Sequence, residues 1–181
     1  MRFRRPLLLC VLVTIVSACT GTESRSYEVS EPEDLGVEHL SAEVVDAIVA
    51  GTGDPPRYSS MPATSGPHAT TPTPCGIFRQ EVPEIFNIHT LEHGAVIFYY
   101  QPDAISSEEL LELEELGREL ATHVIVMPYS ALEVPLAMVA WGRLAELDQV
   151  DFDAARSFWG EFAQRGPESG IACAVSVDEG G

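Results

Sequence analysis

The chain has 181 residues, with 28 acidic against 10 basic side chains and a net charge of −18; every basic residue is an arginine. So acidic a balance argues against nucleic acid and anionic lipid headgroups as partners and suits a solvated surface. The length is enough for one domain with a real core.

Arg2, Arg4 and Arg5 precede an apolar run, Leu7 to Val16, that is too short to span a bilayer. Val16-Ser17-Ala18-Cys19 then reads as a lipobox. Residues 1–18 are expected to be a lipoprotein signal peptide, with Cys19 lipidated as the new N-terminus; a plain signal peptide cut near Ala18 is the alternative. Arg4-Arg5 leaves open whether export is by the general or the twin-arginine route. No later stretch is long and apolar enough for a transmembrane helix, so acyl chains alone would hold the protein to the outer face of a bacterial membrane. Cys10 leaves with the signal and Cys19 carries lipid, which leaves Cys75 and Cys173. In an oxidising compartment these most simply pair; buried thiols or metal ligands are the alternative.

Residues 19–33, polar, acidic and small, read as a flexible tether, and residues 34–181 as a single globular domain. Asp34 to Val49, with Leu35, Leu40, Val44, Val45 and Ile48 at helical spacing, predicts one short helix or a strand pair and carries His39. Gly51 to Gln80 is so rich in glycine and proline that regular structure is excluded over most of it. A flexible linker is one reading, but Tyr58, Met61, His68, Cys75 and Phe78 are not linker residues, and a long loop inside a compact domain is more often functional than idle. Ala95 to Tyr100 is a buried strand.

Ser106-Ser107-Glu108-Glu109 is a capping box that opens a helix running to about Ala121. Leu110, Leu113, Leu116 and Leu120 form its core stripe. Glu108, Glu112, Glu115 and Glu119 form a solvated face, not a calcium site, since no ligand-bearing turn accompanies them. His123 to Met127 is a second strand, stopped by Pro128, and Leu136 to Trp141 a third, ended by Gly142. The short connection between them predicts an antiparallel pair. The strand–helix–strand before it predicts a right-handed parallel crossover. Asp151 caps a last helix bearing Phe152, Ala155, Phe158, Trp159 and Phe162, ended by Gly166-Pro167. The expected fold is α+β: a small mixed sheet in a β-α-β-β-α core behind a long Pro/Gly-rich N-terminal loop region.

His89-Thr90-Leu91-Glu92-His93 places two imidazoles and a carboxylate within one turn, and His68 ends the stiff loop Ser65-Gly66-Pro67. Imidazole and carboxylate are ordinary ligands for zinc and copper. His68, His89 and His93 are therefore the expected metal site, with Glu92 and His39 as further candidates. A single helical turn would set His89 and His93 on one side and turn Glu92 elsewhere, to orient a ligand. Met61 offers copper a soft ligand near His68.

Two other readings compete. His89-x-x-Glu92-His93 is the pattern of inverted zinc peptidases, which needs both histidines on one long helix and a further acidic ligand from a second. Asn87 and Thr90 are poor helix formers, and Pro83 and Gly94 leave little room, so this is the remote alternative, although a helix from Pro83 to His93 with Gly94 as its C-cap could still form. Alternatively the histidines bond carbonyls that the irregular chain leaves unpaired, in a structural or partner-binding surface module. His123, alone at a strand start, is read that way. Ser65 is read as a loop cap, not as a nucleophile paired with His68.

His-x-Leu-Glu-His-Gly before an apolar strand ending in tyrosine resembles a bacterial family known as domain of unknown function 3105. The resemblance extends to Tyr58, to Pro62-Ala63-Thr64-Ser65-Gly66-Pro67-His68 and to Cys75-Gly76-Ile77-Phe78. Downstream it covers Ala140-Trp141-Gly142-Arg143, Asp151, Phe158 and Phe162. It departs at Ala63, where the family favours a second proline, and is poor around His39. It implies an exported or membrane-anchored bacterial protein and supplies no activity.

Overall fold

The computed structural model describes residues 27–173. The expected signal peptide, the expected lipidation site Cys19 and residues 20–26 of the expected tether lie outside the described residues. In chain order the elements are β1 (Val37–His39), α1 (Ala42–Val49), β2 (Gly66–His68), β3 (Gly76–Ile77), α2 (Glu84–Glu92) and β4 (Val96–Tyr100). Then come α3 (Ser107–Leu120), β5 (Val124–Pro128), β6 (Leu136–Ala140), β7 (Arg143–Leu147) and α4 (Phe152–Phe162). The fold is α+β, as the patterning predicts.

Five strands form one sheet in the order β3-β5-β4-β6-β7. β4 is central and buried on both faces, which is why its sequence is an unbroken apolar run. Val96, Phe98 and Tyr100 face the cluster built by Leu113, Leu116 and Leu120 of α3 and by Ala154, Ala155 and Phe158 of α4. Ile97 and Tyr99 face the other way, toward Leu91 of α2 and Cys75. The sheet therefore has α3 and α4 on one side, and α2 with the Pro/Gly-rich region on the other.

β4 and β5 are parallel, joined through α3. The predicted antiparallel pairing of β5 with β6 does not occur: β4 lies between them, and β6 runs antiparallel to β4. The reason is edge capacity. A strand has two hydrogen-bonding edges, and those of β5 are taken by β4 and β3. β6 fills the free edge of β4 instead. Sequence patterning also misses β7, which pairs with β6 through a hairpin at Trp141-Gly142; Gly142 sits there at φ 63°, where a side chain is strained.

The α3 capping box forms as expected: Glu109 N–H donates to Ser106 Oγ, and Glu109 Oε2 accepts from Ser106 N–H. The helix also buries Glu114, which Arg79 at 3.2 Å and Arg118 at 3.1 Å neutralise. Asp151 caps α4, but the helix stops at Phe162, short of Gly166-Pro167. Ala163 is already extended there, and Gln164 takes φ 61°. Tyr27 to Ser30, expected in the tether, instead pack on the fold. Tyr27 is buried against Phe158, and Ser30 bridges Leu144 with N···O distances of 2.8 and 3.1 Å.

Two short strands outside the main sheet set up the site. β1 and β2 pair in parallel, with His39 directly opposite His68. β2 lies in the region where glycine and proline argue against regular structure. Residues 62–66 before and within it are all buried, so this span is part of the packed fold.

Candidate metal centre

Three segments bring imidazoles together: β1 with His39, β2 with His68, and α2 with His89, Glu92 and His93. The β1–β2 register sets the rings of His39 and His68 4.8 Å apart, centroid to centroid. Ala69 N–H, just after β2, donates to Ile85 O at 2.8 Å and docks that strand on α2. α2 starts at Glu84 after Pro83, ends with His93 as C-cap, and turns at Gly94 with φ 88°. Most of it is buried, and its polar side chains are tied to the loop beside it. Thr90 Oγ1 donates to Thr73 O at 2.6 Å, and Thr73 Oγ1 donates to Asn87 Oδ1 at 2.7 Å.

His39, His68, His89 and Glu92 each offer one ligand atom, and these atoms all lie within 4.8 Å of one another. Glu92 Oε2 is 2.9 Å from His68 Nε2, 3.5 Å from His39 Nε2 and 3.9 Å from His89 Nε2. Four ligands about 2.05 Å from a tetrahedral ion stand about 3.3 Å apart, within the range of these separations. The expectation that Glu92 would point elsewhere is corrected. Residues three apart on a helix are neighbours, so His89 and Glu92 share a face, and Glu92 is fully buried.

His93 falls elsewhere. Its Nε2 is 3.1 Å from His89 Nε2 and 3.6 Å from Glu168 Oε2. Glu92, His93 and Glu168 form a second, adjoining group. His39 therefore stands in the first group where the sequence reading centres on His93. In the inverted peptidase pattern both histidines hold the metal and the glutamate serves as base; here the two groups divide the histidines, and Glu92 belongs to each.

The hydrogen bonds on the far sides of the rings set their chemistry. His68 Nδ1 is 2.8 Å from Gly66 O, and His89 Nδ1 is 2.7 Å from Ala69 O. A carbonyl only accepts, so both Nδ1 atoms carry the proton and donate. In a neutral ring this leaves each Nε2 with a lone pair, and both point into the group. Fixing the tautomer from behind with a backbone carbonyl is the arrangement found around metal-binding histidines. Burial holds the His89 imidazolium below its ordinary pKa, with His93 and His68 adding to the effect; the Ala69 carbonyl and Glu92 oppose it. The neutral, ligating form of His89 is favoured.

This chain belongs to the family described as Protein of unknown function (DUF3105), whose profile matches residues 52–175. The DUF3105 match takes in His68, His89, Glu92, His93 and Glu168, together with both described cysteines. It begins beyond His39. No curated protein and no solved structure matches the chain.

The remaining candidates are placed as follows. Cys75 and Cys173 form a disulfide with a Cα–Cα distance of 5.7 Å, so neither is a free thiolate ligand. The Met61 side chain is exposed while His68 is fully buried. His123 Nε2 is 3.0 Å from Ile171 O, a carbonyl contact of the kind expected for it. Ser65 Oγ accepts from Leu35 N–H at 3.0 Å and ties the chain just before β1 to the loop. Sequence reading misses Glu168, whose only signal is an acid just after Gly166-Pro167. Among the described residues no helix is long and apolar enough to cross a membrane.

Proposed function

We propose that this DUF3105 member is an extracytoplasmic lipoprotein that binds a divalent transition metal through His39, His68, His89 and Glu92. The observation that carries this reading is the pair of buried histidines. Each is held by a backbone carbonyl at Nδ1 and presents Nε2 to one carboxylate oxygen. Three imidazoles and a carboxylate, with no sulfur, suit borderline ions: zinc, or copper in its divalent state. Cuprous copper, which prefers thiolate and thioether, fits this set poorly. Three ligands are buried, while the His39 side chain is 41% exposed. The site thus has one face toward solvent, through which an ion can exchange. A lipid at Cys19 would hold this binder at the membrane surface, where it captures metal outside the cytoplasm.

The test is elemental analysis of the purified full chain carrying no polyhistidine tag, alongside His68→Asn. Stoichiometric zinc or copper that is lost in the variant is the expected result. Wild-type protein that takes up neither ion at micromolar concentration would leave a hydrogen-bonded, structural cluster, which the 3.1 Å His89–His93 contact by itself allows. The anchor is tested separately: Cys19→Ala should release or misprocess the protein, and normal retention would refute it.

A further inference from the structure

Glu92 has two carboxylate oxygens, and the first metal group uses one of them. Oε2 faces the three imidazoles. Among the described residues Oε1 is buried and has no hydrogen-bond partner. A buried polar oxygen without a partner costs more than an ordinary hydrogen bond contributes, so it calls for an explanation. A second group of possible ligands adjoins the first: Glu92, His93 and Glu168 each offer one ligand atom, and these atoms lie within 4.8 Å of one another. Like the first group it mixes buried and exposed members: the His93 side chain is mostly buried and that of Glu168 is exposed.

Glu168 is not there by the chance of a mobile surface acid. The segment after α4 is strapped onto the end of α2. Gln164 N–H donates to Gly94 O at 2.6 Å, and Glu168 N–H donates to Glu92 O at 3.0 Å. Between them Gly166 lies so close that an added Cβ would stand 2.1 Å from Glu92 O. No side chain fits, so glycine at this position is what lets the strap seat and present Glu168 to His93.

We propose that Glu92 is a bridging ligand and that Glu92, His93 and Glu168 hold a second divalent cation beside the first, giving a two-ion centre. This rests on the metal-binding reading above. In such centres the ions stand about 3.5–4 Å apart and share a carboxylate. His89 and His93, with their Nε2 atoms 3.1 Å apart, would then serve one ion each. The outer ion would be held by two carboxylates and one imidazole, a harder set than the inner one. The inner ion should therefore be the tighter bound.

The experiment is equilibrium dialysis of the full chain, solubilised in detergent, against zinc and against divalent copper. Metal is counted per chain, and electron paramagnetic resonance is recorded on the copper form. Two ions in the wild type, with one lost in both Glu168→Gln and His93→Asn, are expected. A spin-coupled copper signal in the wild type should become an isolated-ion signal in those variants. A single ion in the wild type, unchanged by Glu168→Gln, overturns the second position and leaves the first standing. Two ions that persist in Glu168→Gln, or two uncoupled copper signals, overturn it as well. No ion in any form removes the whole metal reading.

Discussion

Glu92→Gln should change the sign of its effect on stability with the metal. Without an ion, Glu92 is fully buried, with one oxygen unpartnered among the described residues and the other 2.9 Å from a ring nitrogen whose opposite nitrogen already donates to a carbonyl. A glutamine amide can donate to that nitrogen, turning an awkward charged contact into a neutral hydrogen bond. Relief of an unsatisfied buried group is worth about 1–3 kcal/mol, part of which is offset because the amide oxygen stays unpaired. A net gain of about 1 kcal/mol, or roughly 2–4 °C in midpoint, is expected in chelator. With metal at a hundred times its dissociation constant, the wild type gains about 2.7 kcal/mol by mass action while the variant gains none. The two melting curves should therefore exchange order between chelator and zinc. The assay is thermal unfolding of both proteins under both conditions. A variant that is less stable by about 3–5 kcal/mol in chelator would show that Glu92 and His68 form a structural ion pair, since that is the cost of breaking one, and would refute this reasoning.

Phe158→Ala should destabilise by about 3–5 kcal/mol, because the ring is fully buried between Tyr27 and Phe162; a wild-type urea midpoint would contradict its core role. Replacing Cys75 and Cys173 with alanine opens a loop with a sequence separation of 98. The chain-entropy account puts the loss at about 4–5 kcal/mol, read by denaturant unfolding; two free thiols in unreduced wild-type protein would show that the pair does not form. Glu84→Gln should help stability more at neutral than at acid pH. Burial raises the Glu84 pKa, against the lowering by the Ala63 N–H and by Tyr129. A raised folded-state pKa means that its stabilising contribution is present at low pH and lost as pH rises through that value. Urea midpoints for wild type and variant at pH 4 and pH 7 should diverge upward; a gap independent of pH would refute the assignment.

What can be read from the sequence is what the local chain determines. The α3 cap needs only Ser106 and Glu109, and the β4 run needs only its own apolar residues, so both are legible. The pairing of β5 with β6 is misjudged because a short connection says nothing about which edges other strands occupy, and β3, the strand that fills the last edge of β5, is two residues long. β7 escapes because Glu146 and Arg143 dilute a short alternating strand. His68, His89, His93 and Glu92 can be singled out by residue type and spacing. Which of them converge on one point cannot, because that depends on the rotation of α2 and on its packing against β2. His39 enters through the register of two three-residue strands, and Glu168 through a glycine-fitted strap. Neither arrangement leaves a periodic trace.

The four side chains of the first group are held with unequal firmness, and the inequality follows from the segments that carry them. His68, His89 and Glu92 sit on buried backbone, and two of them are further fixed by carbonyl contacts. His39 rides on a strand exposed at all three positions, followed by a helix that buries no residue. Its hold on the site comes from the β1–β2 ladder and from the Leu40 N–H to His68 O bond at 2.8 Å. Segments with few buried apolar contacts open at the lowest free energy. The exposed ligand is thus also the one on the least anchored element, and a bound ion would lend β1 and α1 an anchor that packing does not provide. Such a division, with a rigid buried half and a loosely held outer ligand, suits a site that must both bind an ion and release it. A purely structural site would be expected to close on all sides.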